Sequence, residues 1–236
     1  SLNRLSSLTV TGTSTLNGRN SGVDTVLTEG NQNYQGNVTL GADTTLASEA
    51  AGTINFDGDV NGDGTGPWDL IINTQGLTQL DGGMVGNVNQ INNLITDDPA
   101  APASQQGGTT ELSGTFNTVL GQTYNDSARL TSNVVMNSSS AGDVTFNGTL
   151  DADATGNDRT LAINTAGATE FNATVGGTGQ LESLTTDAAG VTNINTDTVN
   201  IDGATVTFND PVIIEMDTTI TEAGTGNVNF NNTVDS

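Results

Sequence analysis

The sequence predicts an all-β solenoid of short strands stacked in parallel ladders. Three features lead there: the residue alphabet, the alternation of apolar and polar positions, and a tandem repeat of 84 to 90 residues. Each narrows the choice of fold before any site is considered.

The alphabet comes first. Thr and Asn dominate the 236 residues, with about 40 and about 30 copies, and strong helix formers are scarce. Thr and Val suit pleated strands, whereas Asn, Asp and Gly suit turns that need positive φ. The apolar residues fall in short alternating groups such as Thr53-Ile54-Asn55-Phe56 and Val144-Thr145-Phe146, each bounded by Gly, Asn or Asp. That alternation is the mark of half-buried strands, and it argues against the disorder that 33% hydrophobic content and a net charge of −23 would otherwise suggest.

The repeat is read from three segments that begin and end on an aromatic: Tyr34 to Phe56, Tyr124 to Phe146 and Phe208 to Phe230. Each holds an apolar pair, a small-residue-Gly turn and an apolar-x-Phe strand. The match extends outward. Asp69 to Gly76 (DLIINTQG) answers Thr160 to Gly167 (TLAINTAG), and Val85-Gly86 answers Val175-Gly176. The spacing is 90 residues from Phe56 to Phe146 and 84 from Phe146 to Phe230. Residues 1–236 thus read as one continuous solenoid segment: a repeat tail (1–33), two repeats (34–123 and 124–207) and a partial repeat (208–236). An array that starts and stops in mid-repeat reads as a window on a longer protein. Most of the length difference lies in residues 98–107 (DPAAPASQQG), which carry two Pro and no strand pattern and are expected to form a loop on the outer face.

Many short strands without helices also fit a β-sandwich array or a propeller. Sandwich modules usually anchor a broad core on Trp or Tyr, and this chain has 1 Trp and 2 Tyr. Its Leu, Ile, Val and Phe suit a narrow core built from coils of about 20 residues, stacked about 4.8 Å apart. About eleven such coils would form a rod some 50 Å long. Ile54, Phe56, Ile72, Leu80, Val144, Phe146, Ile163, Phe171, Val228 and Phe230 are expected to point inward, with equivalent residues of successive repeats on the same face.

The phrases VTLGADTTLAS (38–48), GTINFDGDVNG (52–62), DLIINTQG (69–76) and LTTDAAG (184–190) resemble repeats of the filamentous-haemagglutinin-like group of very large bacterial surface and secreted proteins. The resemblance spans essentially the whole chain, through degenerate motifs. It implies a right-handed parallel β-helix, extracellular or displayed at the cell surface, serving as an adhesin stalk or structural fibre.

Charge and residue content exclude several functions. With 27 acids against 4 Arg, the chain repels phosphate backbones, so no nucleic-acid partner is expected. No apolar run approaches the roughly 18 residues of a spanning helix, so no membrane insertion is expected. Without His, Cys or Lys, a Ser/His/Asp triad, a thiol nucleophile and a Schiff base are all beyond reach. Only carboxylates remain for acid–base work, with Glu111, Glu170, Glu182 and Glu215 as candidates in strand patterns that favour an outward, solvated position.

The sharper candidate is a metal loop. Asp59, Asn61 and Asp63, followed by Gly64, match the opening of a calcium loop, in which alternate oxygens close around a hard cation and the Gly permits the turn. The usual Glu at the twelfth position is missing. In the next repeat, Thr149 stands for the first ligand. An Asx-rich turn between coils is the competing explanation. Stacked acids would repel, and the repeat alignment staggers them, setting Asp59 against Thr149 and Asn61 against Asp151. Trp68, after Gly66-Pro67, is expected to cover the edge of the core rather than to stack on a sugar.

The function expected is a non-enzymatic stalk or fibre segment that requires no cofactor, with calcium as a candidate ion. Its partners would be neighbouring repeats of the same chain, further copies in a fibre or sheath, or a carbohydrate or cell-surface ligand. The rival is a carbohydrate- or host-surface-binding module on a β-helix. A polysaccharide-active β-helix enzyme stands third; it would need converging carboxylates in a cleft.

Overall fold

The computed structural model describes residues 4–18, 24–154 and 159–236. Parts of the predicted repeats 1–33 and 124–207 therefore lie outside the described residues. The described chain winds through about ten turns of about 22 residues, with parallel pairing throughout, so the expected coil of 20 residues was slightly short. Among the described residues, helix is limited to a single turn of 3-10 helix, Ala103–Gln105, inside the predicted insert.

Each coil has three faces, met in a fixed order along the chain. The second coil is representative: Gln32–Tyr34 lies on the first face, Val38–Leu40 on the second and Thr44–Ser48 on the third. Each strand pairs with its counterpart one coil later, as in Gln32 to Ile54, Val38 to Val60 and Thr44 to Leu70. Side chains alternate in these three-residue strands, so a buried-half-exposed-buried pattern recurs along all three faces. In the fifth and sixth coils the first two faces merge into long strands, Thr109–Thr118 and Ser127–Ser138, that bend at a register shift between Leu112 and Gly114. The insert lengthens one coil: Leu77 pairs with Thr109, 32 residues away, whereas Thr109 pairs with Ser127, 18 away.

The core is a single column of Leu, Ile, Val and aromatic side chains running from Tyr34 to Val212. Aromatic rings stack one coil on the next: Tyr34 on Phe56, Tyr124 on Phe146, Phe146 on Phe171, and Phe208 on Phe230. Eight of the ten predicted core residues are buried. Val228 is half-buried and Phe230 is 37% exposed, because their coil has no later coil stacked upon it.

Repeat equivalents do not share a face, contrary to the sequence expectation. Ile54–Phe56 lies on the first face, Val144–Phe146 on the third and Asn227–Phe230 on the second. The reason is arithmetic. A sequence repeat contains eleven strand positions, once Val85 is counted as a bridge and the two long strands as two positions each. Eleven is not a multiple of three. Each repeat therefore ends one face short of four coils, and its successor is set one face back around the axis.

Corners carry the polar chemistry. Asn residues that follow an inward aromatic or Ile stack into amide ladders, in which each Nδ2 donates to the Oδ1 of the coil before: Asn147 to Asn125, Asn172 to Asn147 and Asn195 to Asn172, all 2.7 Å. Val85-Gly86 and Val175-Gly176 make equivalent corners. Both glycines have positive φ (69° and 68°), and a Cβ on either would stand 2.0 Å from a carbonyl oxygen, that of Asn117 or Asn200. Any side chain there would force the coils apart.

Candidate functional site

Asp59, Asn61 and Asp63 alternate along and just beyond the strand Val60–Gly62, but their oxygens each serve different protein donors. Asp59 Oδ1 accepts the Met84 N–H and Asn61 Oδ1 accepts the Val88 N–H, each 2.8 Å away on the following coil. Asp63 turns into its own loop. Its carboxylate accepts the Thr65 N–H (2.9 Å), the Thr65 hydroxyl (2.8 Å) and the Trp68 indole N–H (3.0 Å). Those bonds, led by the Thr65 backbone amide and then the indole, hold the Asp63 carboxyl below its usual range. Asp69, near the missing twelfth position, accepts from Asn92 and Asn93 instead. Among the described residues, no three Asp or Glu stand together as a metal set.

The Asp63 bond also fixes Trp68. The indole packs, partly buried, against the core, and its N–H is satisfied at the rim.

Pairing the coil corner with the backbone of its neighbour is a general device, invisible to a reading of the residues alone. Asp43 Oδ1 accepts the Asp69 N–H (3.0 Å), Asp143 Oδ1 the Ala168 N–H (2.7 Å) and Asp151 Oδ1 the Thr178 N–H (2.8 Å). Asn31, Asn37, Asn93 and Asn133 do the same for Thr53, Asp59, Gly121 and Thr160. At a corner the ladder between strands is interrupted and backbone N–H groups lose their carbonyl partners. A short side chain with an oxygen two bonds beyond Cβ fills that gap. Much of the acidity is thus structural. Stacked neighbours lie one coil apart, not one repeat apart, so the relevant pairings are Thr39 with Asn61 and Arg129 with Asp151, rather than Asp59 with Thr149.

Among the described residues, three aspartates are buried outright. Asp126 accepts the hydroxyls of Thr96 (2.8 Å) and Thr110 (2.8 and 2.9 Å), and Asp210 those of Thr186 (2.6 Å) and Thr192 (2.8 and 3.0 Å). The two sites are repeat equivalents, each following an aromatic-Asn pair. Burial pushes both carboxyls upward, against the opposing pull of those hydroxyls. Asp97 sits at the root of the insert with φ 52°, where its carboxylate accepts the Thr74 N–H (2.9 Å) and the Gly107 N–H (3.0 Å). Burial, then the charge of Asp126, raises it to about 8.

The four candidate glutamates stand apart. Glu111 lies on the first face, paired to Arg129 and accepting from Gln79 Nε2 at 2.8 Å. Glu170 points outward on the third face two coils later, between Thr145 and Asn193. Glu182 precedes Ser183–Thr186, and Glu215 follows Val212–Ile214. They do not converge on one cleft.

Two tyrosines have partners that the sequence did not reveal. The Tyr34 and Tyr124 phenols, fully buried, donate to Gln32 Oε1 (3.0 Å) and Gln122 Oε1 (3.1 Å) two residues earlier. Each Gln in turn donates to a carbonyl of the neighbouring strand, Ala47 or Asn137. The Gln-x-Tyr spacing, present at both positions, was the available signal.

No helix among the described residues is long and apolar enough to cross a membrane. The chain is a parallel β-solenoid; no protein-family model, curated protein or solved structure matches it.

Proposed function

We propose that the chain is a stalk or fibre segment of a large bacterial surface or secreted protein, a spacer of the filamentous-haemagglutinin-like kind, without catalytic activity. The observation that carries this reading is the continuity of one hydrophobic column through successive coils, each paired to the next on three faces. Such a body resists bending and lengthens by adding coils, at about 4.8 Å each. Its exterior supports the same reading. Outward strand positions are rich in Thr and Asn, aspartates such as Asp43, Asp59, Asp143 and Asp151 serve as corner acceptors, and the glutamates are dispersed. The resemblance of residues 38–62 to haemagglutinin-like repeats adds the expected location outside the cell.

The test is immunogold labelling of intact source cells with antibody raised against the chain. Label on the cell exterior, or along filaments leaving it, is the expected result. Label that appears only after cell lysis would overturn the reading.

A further inference from the structure

The first face carries a groove of about 460 Å³ across its fifth to eighth coils, within the size range of ligand sites. One side of it is a column of hydroxyls. Thr109 pairs with Ser127, and Thr149 and Thr174 immediately precede Leu150 and Val175, which continue the register from Ala128. Because Thr110, Ala128, Leu150 and Val175 are buried, alternation turns Thr109, Ser127, Thr149 and Thr174 outward, and all four line the groove half-buried. The column starts after Leu77, the apolar partner of Thr109. Among the described residues, none of the four hydroxyls makes a hydrogen bond.

The other side carries one cation and one anion. Arg129, two positions beyond Ser127, donates from Nη2 to Glu111 and keeps a side chain that is 42% exposed, with further N–H groups to offer. Asp151 lies beside Arg129 on the next coil and uses Oδ1 for the Thr178 and Gly179 amides, which leaves Oδ2 as an acceptor. Gly177 keeps the space beyond Asp151 clear, since a Cβ there would stand 3.0 Å from Thr174 Cγ2. The groove thus presents donors, acceptors and groups that are both, on a surface where other acids are tied to backbone amides.

We propose that this groove binds a neutral polysaccharide with a straight, equatorially linked backbone, laid along the solenoid axis. A sugar hydroxyl both donates and accepts, as each Thr or Ser hydroxyl does, so the column matches it with no charge on either partner. Arg129 adds donors and Asp151 an acceptor at the side. The guanidinium disfavours a bare cation, and the net charge of −23 disfavours an anionic glycan. A peptide strand finds no free sheet edge to join here, because the strands of these coils are paired on both sides. The rungs follow the axis at about 4.8 Å, or about 14 Å from Thr109 to Thr174, which suits an extended chain and not a coiled one. The assignment is independent of the stalk reading, since its failure would leave the stacked coils and their expected place outside the cell untouched.

The experiment titrates isotope-labelled protein with cellohexaose while backbone amide resonances are followed. Saturable shifts at Arg129, Thr149, Asp151 and Thr174 are expected, with no such response to maltohexaose, the same sugar linked into a coiled chain. Thr149→Val keeps the branched side chain, removes the hydroxyl, and should weaken binding about fivefold, the loss of one neutral hydrogen bond. Thr123→Val, at an outward position of the third face, should bind as the parent does. No saturable shift with cellohexaose, an equal response to maltohexaose, unchanged affinity in Thr149→Val, or equal weakening in Thr123→Val would each overturn the proposal. So would trigalacturonate moving these amides when cellohexaose does not, which would make the groove an anion site on Arg129.

Discussion

Phe146 lies between Tyr124 and Phe171, its ring 5.1 Å from the first and 5.7 Å from the second, with planes within 16° of parallel. The three rings belong to successive coils of the third face, so this stack joins three turns of the solenoid through one residue position. Phe146→Ala leaves a void between two coils that cannot close without breaking strand ladders on both sides. It should cost about 3–5 kcal/mol in denaturant unfolding. Phe230→Ala, at a ring already 37% exposed, should cost much less, about 1 kcal/mol. Equal losses would mean that burial between coils is not what stabilises the rod.

The Asn ladder at the same corner gives a second prediction. Asn147 donates to Asn125 and accepts from Asn172, so Asn147→Asp removes the donor and places a charge against an amide oxygen. The ladder is solvent-exposed, which limits the loss to about 1–2 kcal/mol. The same change at Asn229, an exposed strand position paired with Thr207, should lie within about 0.5 kcal/mol of the parent. Urea unfolding of the two variants separates the cases.

Stability should rise as pH falls through neutrality. Asp97 has a folded-state value of about 8 against 3.8 for the free side chain, so between those limits the folded chain holds a proton that the unfolded chain has released. The unfolded state then binds fewer protons, and stability declines as pH increases across that window. Asp126 and Asp210 are shifted in the same direction. The melting temperature should be lower at pH 8 than at pH 5, by roughly 5 °C. Asp97→Asn suits the positive φ and keeps an oxygen for Thr74 but loses the acceptor for the Gly107 N–H, so it should flatten the pH profile without raising the stability at pH 5. A melting temperature that rises with pH would refute this assignment.

Calcium gives the fourth prediction. The oxygens of Asp59, Asn61 and Asp63 already accept protein donors, so calcium should act through screening alone. Melting in calcium and in sodium of matched ionic strength should agree within about 1 °C. A calcium-specific rise that Asp63→Asn removes would restore the metal loop.

Much of the fold was legible in the sequence because strand length, turn residues and apolar alternation are local properties. Ile54, Phe56, Val144 and Phe146 could be placed inside from their neighbours alone. Their faces could not. Face assignment depends on the number of strands per repeat modulo three, and the strand count is obscured where Val85 forms a lone bridge or where Thr109–Thr118 turns a corner without a break. The role of the corner acids was hidden for a related reason. Asp59 meets Met84 only when the coil length is known, so Asp59-Val60-Asn61-Gly62-Asp63 presented its calcium-like spacing and concealed its backbone partners. Residues 98–107 were recognisable as an insert, but the groove on the first face depends on which residues the coils bring into register.

The stacking of coils is tested most directly by disulfide mapping, in a chain that has no native Cys to interfere. Thr123 and Thr145 are paired across adjacent coils of the third face, with side chains outward, and Glu170 pairs with Thr145 one coil further on. Adjacent strands lie about 4.8 Å apart, within reach of a disulfide, whereas two coils span about 10 Å, beyond it. Thr123→Cys with Thr145→Cys should oxidise to an intramolecular disulfide in the folded monomer, and Thr123→Cys with Glu170→Cys should stay reduced. A disulfide in the second variant and none in the first would contradict the solenoid register on which the whole account rests.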